Sequence, residues 1–470
     1  MTSPLPPTLP SAEPPCLRAS MVRSTLRRLL QLDKPLPNHT PDSFAAEVQR
    51  NYRWNFAVNL LDGATFAIGA SFLSAATIIP LFINKLTPSP YALGLAAIIA
   101  QSGWFLPQLF TANFVEALPW KKPVVVNLGL FLERMPMWIM VLSALLAARS
   151  PLLALLLFLL GYAWHSLGAG LVATAWQDMI ARCFPVERRG RFLGFTWFLG
   201  CGTGALAGLL CGYMLSKLPF PANFVAVFTG AAIFVCLSWV FLALTREPAP
   251  PLEPRKTTHT QYLAQLPTIL RTDRNYRRFL IARLTLALGG MGTGFVMVAA
   301  AKRFNLPLSA GGFYTASFLI GQMLGNLIFG LTADSRGHKL SLEAAALAAA
   351  ASFAAVLLAP SPAYFHIAFI LIGLNVGAIN VSGILVVLEF CSPDKVPTYT
   401  GLTNTSIGLL TLLSPLLGAY LASHSYTLLF LITAAINLAA LLLLRYHVHE
   451  PRFAPTPEKT GTGTVFSSRC

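Results

Sequence analysis

A chain of 470 residues that is 55% hydrophobic and only 11% charged carries more apolar surface than soluble domains of that length can bury, which excludes an ordinary multidomain soluble protein. The net charge of +16 would suit a nucleic-acid binder, but the Lys and Arg sit in short segments between long apolar runs and on one side of them, so no nucleic-acid partner is expected. The composition is that of a polytopic membrane protein.

Residues 1–41 are rich in Pro, Ser and Arg and read as disordered, with no apolar h-region near Met1 to suggest a cleaved signal peptide. Residues 42–54 predict a short amphipathic helix on the membrane surface, capped by Asp42 or Ser43. Twelve apolar runs follow, each near the roughly 20 residues that a bilayer requires. They fall at about 56–83, 91–117, 123–148, 151–177, 192–216, 222–245, 278–301, 310–333, 339–359, 363–389, 399–422 and 425–446. The predicted architecture is therefore an all-α membrane protein. Its parts are a tail (1–55), a six-helix bundle (56–245), a linker (246–277), a second six-helix bundle (278–446) and a C-terminal tail (447–470). Only Pro151 and Pro362 mark the boundaries between spans three and four and between nine and ten, which predicts tight hairpins there. In the linker, Tyr262, Leu263, Leu266, Ile269 and Leu270 are spaced as an amphipathic surface helix.

Of the 34 Lys and Arg, Lys85, Arg149, Lys217, Lys302 and Arg303 fall in loops on one side, and Arg134 and Arg283 fall inside spans. All the others lie on the side of the termini, which places both termini in the cytoplasm. The halves also repeat. Asn51-Tyr52-Arg53 before the first span recurs as Asn275-Tyr276-Arg277 before the seventh; Asp178 answers to Glu389, Gly190 to Gly401 and Gly208 to Gly418. On this register Arg283 answers to Asn59, and Asp334 to Glu116.

Between spans eight and nine, Gly330-Leu331-Thr332-Ala333-Asp334-Ser335-Arg336-Gly337-His338-Lys339-Leu340-Ser341-Leu342 forms a charged turn that must leave the hydrocarbon. It resembles the loop signature of the major facilitator superfamily. Gly330, Ala333, Asp334, Gly337, Lys339 and Leu342 match, and Thr332, Ser335 and His338 depart. The resemblance implies a twelve-helix bundle of two pseudo-twofold halves. It further implies a latch on the cytoplasmic side that closes when Asp334 docks near Gly190 and Glu116 near Gly401. Asp178, Arg188, Arg189, Arg191, Arg336 and Glu389 would complete that charge network. In the fifth span, Gly200-Cys201-Gly202-Thr203-Gly204-Ala205-Leu206-Ala207-Gly208 is similar to the family's antiporter signature, with Ala205 in place of the proline; the alternative is plain small-residue packing. Ser414-Pro415-Leu416-Leu417-Gly418 occupies the equivalent place in span eleven, so both helices are expected to be irregular there. In span four, Trp164 stands where the family often has an arginine.

Ionisable groups inside hydrocarbon are costly and usually face a cavity or a partner. Asp62, Glu133, Arg134, His165 and Arg283 are the candidates for proton coupling. Asp62 and Arg283 could meet across the twofold axis, a carboxylate there gaining a proton when its partner leaves; a fixed ion pair is the alternative. Adjacent residues on an α-helix point about 100° apart, which together with the peripheral place that the resemblance implies for span three favours a structural role for Glu133 and Arg134. Gln101, Trp104, Gln108, Trp164, Gln322, Asn326, Asn375 and Asn380 are candidates for lining a substrate cavity, and Gly289–Gly294 suggests a bendable seventh helix. So few buried charges favour a neutral, amphipathic or singly charged small molecule. No disulfide framework, nucleotide-binding loop, metal-ligand cluster or nucleophile elbow is present in the sequence, so neither a cofactor nor enzymatic activity is expected. The reading is a monomeric secondary transporter in a prokaryotic cytoplasmic membrane, with proton-coupled efflux preferred over uptake or uniport. The competing classes are an intramembrane enzyme and a transporter-derived sensor or scaffold.

Overall fold

An apolar helix of about 20 residues satisfies its backbone internally and can cross hydrocarbon unaided. In a computed structural model that describes residues 26–32, 41–116, 118–248, 269–390 and 396–451, ten helices have that length and apolarity. The first half contains α1 (Pro41–Phe72), α2 (Ile78–Leu86), α3 (Pro90–Glu116), α4 (Pro136–Leu146), α5 (Pro151–Cys183), α6 (Val186–Lys217) and α7 (Ala222–Ala243). Two π-helical stretches, Val124–Leu128 and Leu130–Arg134, lead into α4. The second half contains α8 (Arg274–Leu288), α9 (Thr293–Phe304), α10 (Ala310–Arg336), α11 (His338–Leu358), α12 (Tyr364–Glu389), α13 (Val396–His424) and α14 (Tyr426–His447). The two expected spans outside the ten are the first pair, where the chain forms α1, α2 and α3; α1 carries Asn55, Asn59 and Asp62 on its buried side.

Residues 42–54 are not a separate surface helix. They run without interruption into the first span as the leading turns of α1. The predicted linker helix falls mostly on residues outside those described, but Ile269 and Leu270 pack against the core at the start of α8. Spans one and seven are both broken near their middles. Between α8 and α9 the break falls at Gly289–Gly292, where glycine was the visible signal. Between α1 and α2 it falls at 73–77, where Ser74 and Thr77 close the turn through backbone and hydroxyl hydrogen bonds. The irregularity expected in spans five and eleven is absent. α6 and α13 are continuous, and Pro415 is accommodated inside α13.

The internal repeat is visible as a pair of clamps. Asn55 donates from Nδ2 to the Arg246 carbonyl and accepts the Arg246 N–H, both at 2.9 Å. Asn275 makes the same two bonds to His449, also at 2.9 Å. Asn275 therefore answers to Asn55, one helical turn beyond Asn51, and the register inferred from the Asn-Tyr-Arg triplet is corrected by that turn. On the corrected register Arg283 answers to Gly63, next to Asp62.

The halves meet through α6 against α10 and α3 against α13. At the end away from the termini these contacts are backbone-close: an added side-chain carbon at Gly312 would run into Gly208 and Gly212, and one at Gly94 into Pro415 and Ala419. The hydroxyls of Thr77 and Thr315 bond across the seam there, and both residues are buried. The glycines of the 200–208 stretch thus serve close packing: Gly200 faces Ala67, Gly204 faces Ser71 and Gly208 faces α10. Toward the termini the seam parts. Leu193 and Trp197 on α6 are exposed toward the space between the halves, and nothing lies near Gly194 or Gly330.

Candidate functional site

A cavity of about 860 Å³ fills the space between the halves. It runs from the two helix breaks, at Ser74 and Gly290–Gly294, down to Gln177, Ile180 and Phe192 near the terminus-bearing end. Its walls are mostly Ala, Gly, Phe, Leu and Trp. Against them stand a few polar groups, as in most small-molecule sites.

The acidic and basic groups of the lining are on the first half. Asp62, on α1, lines the cavity and accepts a hydrogen bond from Ser238 Oγ of α7 at 2.6 Å. Glu133 and Arg134 also line it, buried and ion-paired with each other, and both act electrostatically on Asp62. Their position departs from the expectation of a peripheral structural pair, and the backbone gives the reason. Pro136 has no N–H and its ring crowds the carbonyl four residues back. The turn widens, so that Met135 N–H donates to the Leu130 carbonyl at 2.9 Å. That π-helical widening re-aims Glu133 and Arg134 inward, a device often found at functional sites. Gly168 of α5 makes it possible, because any side chain there would collide with the Leu132 carbonyl. His165 lies behind this wall rather than on the cavity, and its Nδ1 donates to the Glu133 carbonyl at 2.6 Å.

Asp62 and Arg283 do not face each other as a pair. Arg283 is buried against Gly383 of α12, where an added carbon would lie 3.2 Å from its guanidinium; its Nε finds no hydrogen-bond partner among the described residues. No ion pair joins it to Asp62.

Of the predicted cavity residues, Gln101, Trp104 and Gln322 line the cavity and the others do not. Gln108 donates back to the Trp104 carbonyl at 2.8 Å. Trp164 follows Leu156 and Leu160 on the exposed, lipid-facing stripe of α5. Asn326 reaches Cys201 across the seam at 3.9 Å, and Asn375 donates to the Ala345 carbonyl at 2.8 Å. Asn380, on α12, is half-buried away from the lining. Trp176, Gln177, Thr196 and Trp197 line the cavity and were not anticipated. Their signal was available only as aromatic and polar residues at the terminus-side ends of spans four and five.

The charges at the terminus-bearing end form one network within each half. In the first, Asp178 binds Arg182 at 2.9 Å and the fully buried Lys121 at 3.3 Å. Glu247, just past α7, accepts the backbone N–H of Lys121 and of Lys122, with distances of 2.8–3.1 Å. In the second, Glu450 accepts the Lys339 N–H at 2.8 Å, Glu343 pairs with Lys339 and Arg445 at 3.4 Å, and His338 lies 3.7 Å from Glu389. The Arg188 guanidinium stacks over Tyr52, and Arg336 is exposed. Gly337 adopts φ 90°, a left-handed turn suited to glycine. Among the described residues no ion pair crosses the seam. The side chains of Glu116, Asp334, Arg189, Gly190 and Arg191, and Gly401 with them, lie outside the described residues.

Burial is the largest influence on Glu247 and raises its pKa above the usual 4.5, against the Lys121 and Lys122 N–H groups and the Arg182 charge, which lower it. Between 4.5 and the raised value the folded chain holds more protons than the unfolded one, so this group's contribution to stability falls as pH rises through that window. Glu247→Gln keeps an acceptor for the loop and should flatten this acid-side slope in thermal unfolding measured in detergent. Glu247→Ala should lose about 2–4 kcal/mol of stability, because the Lys121 and Lys122 N–H groups and the Arg182 guanidinium, 3.7 Å away, lose this partner.

Residues 279–469 match the sequence model of the Major Facilitator Superfamily. No curated protein matches the chain. Among solved structures, the nucleoside transporter NupG superposes with a TM-score of 0.61 at 15% identity, over 82% of this chain and 98% of that one. A bacterial homologue of the iron transporter ferroportin in its inward-facing state gives 0.63 at 13% identity, over 83% and 97%. A bacterial ferroportin homologue in the outward-facing state with soaked iron gives 0.55 at 14%, over 83% and 98%. At such identities the likeness is one of fold.

Proposed function

We propose that this chain is a member of the Major Facilitator Superfamily, whose sequence model its second half matches, and an alternating-access secondary transporter of a small amphipathic solute and not an enzyme. The observation that carries the reading is the central cavity between the halves, sealed by glycine contacts at one end and parted at the other, with its acidic and basic groups on one wall. Rocking the halves about this fixed site would expose it first to one side and then to the other. The excess of Lys and Arg assigns the open end to the cytoplasm. The better superposition on the inward-facing ferroportin homologue agrees with a cavity open on that side. Transport takes place across the cytoplasmic membrane, with the chain acting as a monomer.

Asp62 is the proton site in this reading. Its carboxylate lines the cavity and holds a hydrogen bond from Ser238 and, among the described residues, no ion pair, so the proton it takes or releases can be exchanged against solute. Export is the preferred direction, on the partial antiporter signature at 200–208. The network of Asp178, Lys121 and Arg182 on one half and Glu343, Lys339 and Arg445 on the other is the scaffold of the latch, drawn here with each half bound to itself.

The test is solute transport in proteoliposomes under an imposed pH gradient, comparing the natural chain with Asp62→Asn. The natural chain should follow the gradient, while the variant should lose gradient-driven accumulation but keep solute exchange. Equal gradient-driven transport by both would remove Asp62 from coupling. An absence of transport by the natural chain across a broad solute library would favour a sensor or scaffold.

A further inference from the structure

The described cavity lining has three acidic or basic side chains, Asp62, Glu133 and Arg134, and all three belong to the first half. Glu133 and Arg134 are ion-paired and cancel each other's charge. Asp62 is left with a neutral partner, the Ser238 hydroxyl, so the cavity carries one negative charge when Asp62 is ionised. The second half contributes no charge to the lining. Its wall is built from groups such as Met291, Phe295, Phe318 and Gln322. Arg283, the one buried cation in α8, is turned away against Gly383.

A single negative charge set among apolar walls attracts a compensating cation more strongly than the same charge surrounded by solvent would. It also repels an anion of the same size. Aromatic faces add to this preference, since Trp rings attract cations and stack on flat apolar groups. Trp104 and Trp197 present exposed rings to the cavity, and Trp176 joins them. The volume, about 860 Å³, lies within the range of sites that enclose whole organic molecules.

From this charge and lining we infer that the cavity binds an amphipathic, singly charged organic cation of the quaternary ammonium or phosphonium type. The cationic centre faces Asp62 and the apolar arms rest on the tryptophans. This assignment rests on the transporter reading and narrows its substrate class. Metal cations and multiply charged solutes fit poorly, because one carboxylate and a mostly apolar wall cannot replace their hydration.

Tetraphenylphosphonium and tetraphenylborate have nearly the same shape and opposite charge, which separates charge recognition from apolar fit. Equilibrium binding of each to the purified full-length chain in detergent, without any gradient, tests the assignment. Asp62→Asn and Asp62→Glu are compared with Trp164→Phe, a lipid-side control, and a thermal-unfolding scan of each variant reports folding. The expected result is saturable binding of the phosphonium and none of the borate. Asp62→Asn should weaken phosphonium binding at least tenfold, while Asp62→Glu and Trp164→Phe stay within about threefold of the natural chain. Equal binding of borate, or full phosphonium affinity in a folded Asp62→Asn variant, overturns the assignment. So does an absence of binding by the phosphonium, and gradient-driven movement of a neutral solute in proteoliposomes would then leave the transporter reading standing without it.

Discussion

Gly312→Leu is expected to force the sealed end of the molecule apart and to stop turnover. Gly312 lies on α10 where it crosses α6, and a side-chain carbon there would overlap the backbone of Gly208 and Gly212. Backbone atoms cannot rotate out of the way as a flexible side chain can, so the halves themselves must separate. Overpacking of a close-packed contact costs up to about 3 kcal/mol, and here the cost falls only on the state in which this end is shut. At about 1.4 kcal/mol per tenfold, that is a shift of roughly a hundredfold toward the opposite state. Thr315 reports the change, because it sits 1% exposed beneath the seal with its hydroxyl bonded to Thr77. In a Thr315→Cys background, a membrane-impermeant maleimide added on the sealed side should label the Gly312→Leu protein and spare the parent. Transport should fall to background in the same variant. Continued protection of the cysteine, with normal transport, would mean that the glycine contact is not the seal.

Lys121→Met is expected to be the most damaging single change to stability at the terminus-bearing end. The lysine is fully buried, an unusual place for an ammonium, and the surroundings explain it. Its Nζ donates to the Val115 and Leu118 carbonyls, the latter at 2.7 Å, so it caps the end of α3 while lying 3.3 Å from Asp178. Cations at a helix C-terminus satisfy carbonyls that have no intrahelical donor and complement the helix dipole. Methionine fills the volume but donates nothing. Losing one partner of a buried charge network costs roughly 3–5 kcal/mol. Asp178→Asn should cost much less, since that carboxylate is 37% exposed and Arg182 remains beside it. Thermal unfolding of the purified variants in detergent checks the order, and a Lys121→Met protein as stable as Asp178→Asn would disprove the capping role.

The spans were legible because a long apolar run has one way to satisfy its backbone in a membrane, and the turns between them are marked by charge and proline. The break in span seven was legible because four glycines announce it. Its counterpart after Phe72 was not, because Leu73-Ser74-Ala75-Ala76-Thr77 contains neither glycine nor proline and its turn is held by hydroxyls. The inward placement of Glu133 and Arg134 was hidden for a related reason. A regular helix puts neighbours on different faces, and only Pro136, two residues further on, hints that the helix is not regular there. Among uncharged polar residues the sequence could not separate lining from interhelical bonding: Gln101 and Gln322 line the cavity, while Gln108 and Asn375 bond to backbone carbonyls. The repeat was visible, but its register slipped by one turn because the triplet at Asn51 matches by letter and the clamp at Asn55 matches by contact.

Those clamps have a mechanical meaning. Asn55 fastens the beginning of the first half to the residue just past its last helix, and Asn275 does the same for the second. Each half is thus a closed hoop of polypeptide, joined where it starts to where it stops. A hoop cannot unwind from a free end when its neighbour pulls on it. Force applied to either half is therefore delivered to the seam, to α6 on α10 and α3 on α13, instead of being lost in bending loops. The chain linking the hoops need transmit no force at all; it has only to keep the two rigid shells within reach of each other.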